Sequence, residues 1–144
     1  MTRIAMASDH AGFEYKGVLK SHLESQGVKC GDLGTHSAGT PVDYPDFIRP
    51  AAQAVADGQF PHGIVLGGSG NGEAIVANKI KGIRCALCWN EATGRLAKEH
   101  GNCNMISIGQ RMVSQDEAIA IVEAWLSAKF KGGRHQDRIN KIEE

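Results

Sequence analysis

Short apolar runs alternate with longer amphipathic stretches along the whole chain, and each change of period predicts a change of element. Arg3 to Ser8 predicts a first strand. Phe13 to Gln26 carries Phe13, Val18, Leu19 and Leu23 at near-helical spacing, which predicts a helix closed by Gly27. A second strand is expected over Val28 to Leu33, then turn chemistry from Gly34 to Pro45, then an alanine-rich helix from Asp46 to Asp57. The third strand ends at Leu66, a helix follows from Gly72 to Lys79, and Ile83 to Cys88 predicts a fourth strand. Glu91 to His100 predicts a helix stopped by Gly101, and Asn104 to Ile108 a fifth strand. Ser114 to Glu117 is a helix start with acidic groups in its first turn, continued by Ile119, Ile121, Val122, Trp125 and Leu126. After Lys131-Gly132-Gly133, Arg134 to Glu143 predicts a final polar helix.

Strands separated by helices predict an α/β protein, a parallel sheet with helices on both faces. Right-handed crossovers then place every strand's C-terminal end on one edge, where ligands bind. That edge should collect Ser8-Asp9-His10, Gly67 to Glu73, Trp89-Asn90 and Gly109-Gln110-Arg111.

Composition narrows the function. A chain of 144 residues is expected to form one domain, residues 1–144, with a proper core. Sixteen Lys and Arg balance sixteen Asp and Glu, so no global charge argues for nucleic acid or a membrane surface as partner. No apolar run approaches the ~20 residues of a membrane span. The N-terminal residues open directly into a strand pattern without a signal peptide, and a cytoplasmic protein is expected. Cys85 and Cys88 form a C-x-x-C, but residues three apart on a strand face opposite ways and cannot share one zinc. Together with the isolated Cys30 and Cys103 they read as free thiols.

The chemistry concentrates around Gly67-Gly68-Ser69-Gly70-Asn71-Gly72-Glu73. A buried-strand pattern enters this glycine-rich turn and a helix leaves it, an arrangement that aims backbone N–H groups at an anion. Glu73 stands at the edge of that cradle, which suits proton removal where negative charge develops. The same glycines also serve a tight turn that needs only their backbone freedom. Asp9 and His10 at the end of the first strand suit a sugar or phosphate, although Asp9 also suits the capping of the next helix. Arg134 and Arg138 share a helix face and suit a phosphate, or simply a solvated surface; Arg111 adds a third cation on the ligand edge. His100 at a helix C-terminus reads as a surface imidazole or as a general acid. His22, His36, His62 and His135 show no metal-ligand spacing, so no metal is expected.

Together Ser8-Asp9-His10-Ala11-Gly12, Asp43-Tyr44-Pro45, Gly67 to Glu73, Ala77-Asn78-Lys79, Gly82-Ile83-Arg84, His100, Gly109-Gln110-Arg111 and Gly133 to Arg138 span almost the whole chain. In that order they resemble the type B ribose-5-phosphate isomerases, which share a family with galactose-6-phosphate and allose-6-phosphate isomerases. The resemblance implies a three-layer, Rossmann-like fold with five parallel strands, and a homodimer, possible also as a tetramer, whose sites are shared between subunits. The C-terminal helix, about 134–143, would pack across the dimer. Asp9 and His10 would contact the sugar phosphate, and Gly68, Ser69, Gly70, Asn71 and Gly72 would surround its reacting end. Arg111, Arg134 and Arg138 would bind phosphate, and His100 would assist ring opening. No organic cofactor is implied.

Two departures refine the resemblance. Many members carry the proton-abstracting base as a cysteine just before the glycine loop, a position held here by Gly67. A second branch resembles this chain, with Glu73 as the base. Members also often carry asparagine after the histidine, where this chain has Gly101. The implied reaction interconverts ribose 5-phosphate and ribulose 5-phosphate through an enediol. His100 would protonate the ring oxygen, Glu73 would move a proton from C2 to C1, and Ser69 with the loop N–H groups would meet the charge on oxygen. Burial of Glu73 by bound sugar should outweigh the helix dipole and strengthen the base. The rival reading is the same chemistry on allose 6-phosphate, galactose 6-phosphate or a tetrose phosphate. A non-catalytic nucleotide-binding module is disfavoured, because the glycine loop follows the third strand and not the first.

Overall fold

A computed structural model describes residues 2–144. Five strands alternate with helices: β1 (Arg3–Ser8), α1 (Phe13–Ser25), β2 (Lys29–Asp32), α2 (Pro45–Ala56), β3 (His62–Gly67), α3 (Asn71–Asn78), β4 (Cys85–Leu87), α4 (Glu91–Glu99) and β5 (Met105–Gly109). Helices α5 (Gln115–Ser127) and α6 (Arg134–Ile142) complete the chain. The strands form one parallel sheet in the order β2-β1-β3-β5-β4.

Strand alternation divides the core in two. Ile4, Met6, Ile64, Leu66, Ile106 and Ile108 face one way, against Leu19 and Leu23 of α1, Ala97 of α4 and Trp125 of α5. Ala5, Ala7, Val65 and Met105 face the other, against Ile48, Ala51, Ala52 and Val55 of α2 and Ala77 of α3. Each fully buried Ile or Leu contributes roughly 1.5–3 kcal/mol of transfer free energy, an upper figure because the unfolded chain is partly collapsed. The paired alanines let α2 approach the sheet closely. Cys85 and Cys88 lie on opposite sides, one in each half of the core.

The edge strands are shorter than the pattern predicts. Val28 spends its N–H on the Leu23 carbonyl, closing α1, so β2 begins one residue later. Ile83 closes a turn onto Ile80, and Arg84 donates its N–H to the Asn104 side chain, which delays β4 to Cys85. Helix α5 starts as predicted: Ser114 Oγ accepts from the Glu117 N–H at 3.1 Å, and the Glu117 carboxylate accepts from the Ser114 N–H at 2.9 Å.

The order of the strands fixes where a ligand fits. From β1 the chain leaves outward to β2, whereas from β3 it leaves toward β5 and β4. The outgoing connections diverge between β1 and β3, and a crevice opens there at the C-terminal edge.

Candidate active site

Glu73 is the floor of that crevice. It sits in the first turn of α3 and is 4% exposed. A β-carbon built on Gly67 would overlap all three atoms of the Glu73 carboxyl group, so the carboxyl occupies volume that a side chain at 67 would need. Glu73 is thus not at the edge of the cradle but beneath it, and its burial does not wait for substrate. Burial, with the charge of Asp9 nearby, pushes its pKa above the ordinary value against a hydrogen bond from its own backbone N–H.

Asp9 is buried near Glu73 and accepts the Gly12 N–H at 2.9 Å; it shapes the turn into α1, but the N-cap is Gly12 and Asp9 does not cap the helix as its place in the sequence suggested. Gly12 must be glycine: a β-carbon there would stand 2.6 Å from the carbonyl carbon of Leu66. That close approach brings the start of α1 onto the end of β3. His10 Nδ1 accepts the Val42 N–H at 3.2 Å, which places the proton of a neutral ring on Nε2.

The glycine loop is built as the sequence suggests. Gly70 takes φ 84°, and Ser107 of β5 donates its hydroxyl to the Gly70 carbonyl at 2.7 Å. Ser69 Oγ accepts the Asn71 N–H at 3.2 Å and keeps its own proton for another partner. The N–H groups of Gly68, Ser69 and Gly70 find no acceptor among the described residues and are available to an anion. Arg111 lies over the loop: its guanidinium would stand 3.0 Å from a β-carbon on Gly68. Its own N–H donates to the Gly68 carbonyl at 3.0 Å.

A wall stands over the crevice that the motif reading left unspecified. Tyr44 presses its ring against Gly72, leaving no room for a side chain there. Lys16, 1% exposed, bonds Asp32 at 2.7 Å and the Thr35 carbonyl, which fastens the start of the connection between β2 and α2. Burial alone would raise the Asp32 pKa, but the Lys16 ammonium and the Gly34 N–H hold it below the ordinary value. Asp32 is thereby committed to Lys16. Periodicity gave no sign of this pair, because the two residues lie sixteen apart in the chain.

The remaining predicted residues gather elsewhere. Helix α4 starts behind the C-terminal end of β4 and runs back, so His100 lies before the first residue of β5, at the opposite edge of the sheet. Strand β5 alone puts about 13 Å between the two edges. His100 stacks on His135 of α6, with ring centroids 4.2 Å apart and planes 11° from parallel. Burial, then the neighbouring His100, Arg134 and Arg138, hold the His135 imidazole below its ordinary pKa. Arg134 and Arg138 are exposed beside it, while His135 and Ile139 turn inward onto the same chain. One chain therefore holds two clusters: Asp9, His10, Ser69, Glu73 and Arg111 at one edge, and His100, Arg134 and Arg138 at the other. The His100–His135 stack was not foreseen, since the two residues belong to separate helices.

Other motif residues turn out to be wiring. Asn78 donates to the Cys85 carbonyl and accepts the Cys85 N–H, stitching α3 to β4. The four cysteines are free thiols, and burial pushes Cys30 and Cys103 up to about 11 and Cys88 to about 12, which makes them poor nucleophiles.

Comparisons with known proteins show the family and the fold. A family model described as Ribose/Galactose Isomerase matches residues 4–142. Ribose-5-phosphate isomerase B of Mycolicibacterium paratuberculosis is 49% identical over 99% of this chain and 90% of its own length. The solved structure of Clostridium thermocellum ribose-5-phosphate isomerase B superposes with a TM-score of 0.96 at 42% identity, covering 99% of this chain and 95% of that one. That of the Mycoplasma genitalium enzyme, solved with bound ribulose 5-phosphate, gives 0.95 at 39% identity, covering 99% and 94%.

Proposed function

The chain belongs to the ribose/galactose isomerase family, and on that premise we propose that it interconverts ribose 5-phosphate and ribulose 5-phosphate through an enediol. The observation that carries the assignment of Glu73 as base is its reciprocity with Gly67. In relatives with a cysteine before the loop, a thiol would start from position 67; here the Glu73 carboxyl fills that volume. The same point in the crevice thus presents a proton acceptor by a different route. Burial above the ordinary carboxylate range makes it a stronger base than an exposed glutamate.

The steps balance without an external redox partner. His100 gives a proton to the furanose ring oxygen as the C1–O bond of the ring breaks, and the C1 hydroxyl passes its proton to water as the aldehyde forms. Glu73 takes the C2 proton of the open aldose and electrons move onto O1 as the C1–C2 double bond forms; a proton passes from the C2 hydroxyl to O1, C2–O becomes the carbonyl, and the Glu73 carboxylic acid returns a proton at C1. Charge on oxygen is met by the free N–H groups of Gly68, Ser69 and Gly70 and by the Ser69 hydroxyl; one such donor is typically worth ~2.7–4 kcal/mol of barrier. Arg111, Arg134 and Arg138 hold the phosphate and so fix the flexible end of the sugar.

His100 and Glu73 lie at opposite edges of one chain, so the working site is composite. The His100, Arg134 and Arg138 cluster of one protomer meets the Glu73 edge of its partner in a dimer. The exposed Trp89 and Met112, which border a cavity of about 200 Å³ beside Ser69 and Asn71, support an interface at that edge.

Purified protein assayed against pentose, hexose and tetrose phosphates tests the substrate. Turnover of ribose 5-phosphate in D2O should place deuterium in the product, and Glu73→Gln should lose orders of magnitude in kcat with little change in affinity. Near-normal turnover in that variant would remove Glu73 from the mechanism. Mixing Glu73→Gln protein with His100→Ala protein tests the shared site. Random dimers restore about a quarter of the sites, whereas residues acting within one chain would give no recovery.

A further inference from the structure

Arg84 spreads three bonds from one guanidinium. Its Nε donates to the Gly101 carbonyl at 2.9 Å, one terminal nitrogen to the Asn102 carbonyl at 2.8 Å, and the other to the Glu143 carboxylate at 2.8 Å. The Asn104 side chain accepts the Arg84 N–H at 2.9 Å and donates to the Gly82 carbonyl at 2.9 Å. Both ends of the turn from Gly101 to Asn104 are therefore fastened to residues 82–84. Within that turn Asn102 takes φ 41°, the one left-handed residue other than glycine among the described residues. Such a conformation persists where its surroundings enforce it.

The position of this fork matters because of what lies beside it. His100 caps the C-terminus of α4 and is exposed, and its ring stacks on His135. The backbone after His100 is gripped by Arg84, and His135 rides on α6, whose C-terminal cap is the same Glu143 that Arg84 binds. One planar side chain thus fixes the turn that aims His100 and the helix that carries its stacking partner, Arg134 and Arg138. A lysine there keeps the charge but has no fork with which to satisfy three separated acceptors.

We infer that Arg84 is a positioning residue for the ring-opening acid, holding His100 and helix α6 in one fixed relation. The inference rests on the reading of His100 as that acid. Two rates at saturating substrate separate it from a general structural role. Consumption of ribose 5-phosphate begins from a closed ring and needs the acid. Deuterium wash-in from D2O into a pool of ribulose 5-phosphate, an open chain, needs only the base.

Arg84→Lys should lower the first rate by about 10- to 100-fold, as expected for misplacing one group by about an ångström, and the second by much less, because saturating substrate keeps the phosphate engaged while His100 alone loses its aim. Glu143→Gln takes the charge from a single arm at the surface, leaving an amide oxygen that accepts more weakly, and should show the same selectivity at smaller size; it carries the test should Arg84→Lys fail to fold. His100→Ala is the reference. If it is selective while Arg84→Lys loses both rates together or neither, or while Glu143→Gln leaves their ratio unchanged, Arg84 has no positioning role. If His100→Ala shows no selectivity, the reading of His100 itself fails and the inference falls with it.

Discussion

Replacing Gly67 by alanine tests the placement of the base more directly than removing the base does. A β-carbon at 67 overlaps the Glu73 carboxyl group. The Gly67 backbone is not left-handed, so alanine introduces no strain of its own and acts only through Glu73. Ordinary contact begins near 3.4 Å, so the carboxyl must retreat by about 1 Å or more before the atoms cease to overlap. A misplacement of that size costs about 100-fold in rate, equivalent to about 2.7 kcal/mol of barrier. Forcing a methyl into filled space also costs about 1–3 kcal/mol of stability. Turnover and urea denaturation should be measured on Gly67→Ala, Glu73→Ala and the double variant. In the Glu73→Ala background the methyl enters vacated space, so both penalties of Gly67→Ala should fall toward zero. Penalties that simply add, or a Gly67→Ala enzyme with full turnover, would refute the claim that these two residues share one volume.

Three further outcomes follow from the buried charges. As the proposed base Glu73 must be ionised, and its pKa lies above the ordinary value of 4.5, so the acid limb of kcat/KM should sit above that pH and disappear from the residual rate of Glu73→Gln. The unfolded chain releases this proton first, so the Glu73 contribution to stability should fall as pH rises from the unfolded pKa through the raised folded one; urea midpoints of Glu73→Gln should lack that decline. Lys16→Met should destabilise by about 3 kcal/mol in urea, the lower end for a broken buried pair, because Asp32 keeps 20% exposure and Lys20 lies 3.8 Å away. An unchanged midpoint would show that the pair contributes nothing to the fold.

Most of the fold was legible because its signals are local. Each strand of β1, β3 and β5 is a run of apolar residues buried on both faces, and such a run needs no partner to be recognised. The edges were less legible: β2 and β4 end where side chains and turns take the backbone groups, as Asn104 does at Arg84. The glycine loop and Asp9 were legible for the same reason, since each acts within a few residues of its place in sequence. Lys16–Asp32, Tyr44 on Gly72 and His100 on His135 were not, because each joins elements that only the tertiary fold brings together.

The placement of Glu73 was misread for an instructive reason. From the motif alone a glutamate closing a glycine loop belongs at the rim, where the helix N-terminus favours its charge. What the motif cannot show is that Gly67, six residues earlier, leaves a void of carboxyl size at the end of β3, and that α3 directs Glu73 into it. Among the described residues no cation pairs with Glu73, and Asp9 adds a repulsive charge beside it. A fold selected for stability alone would neutralise such a group or replace it with an apolar one. The same lack of compensation is what a base needs, since a carboxylate paired with arginine would hold its negative charge too comfortably to take a proton from carbon. Gly67 and the unpaired burial of Glu73 are therefore one feature, a local loss of stability placed where the chemistry requires an acceptor.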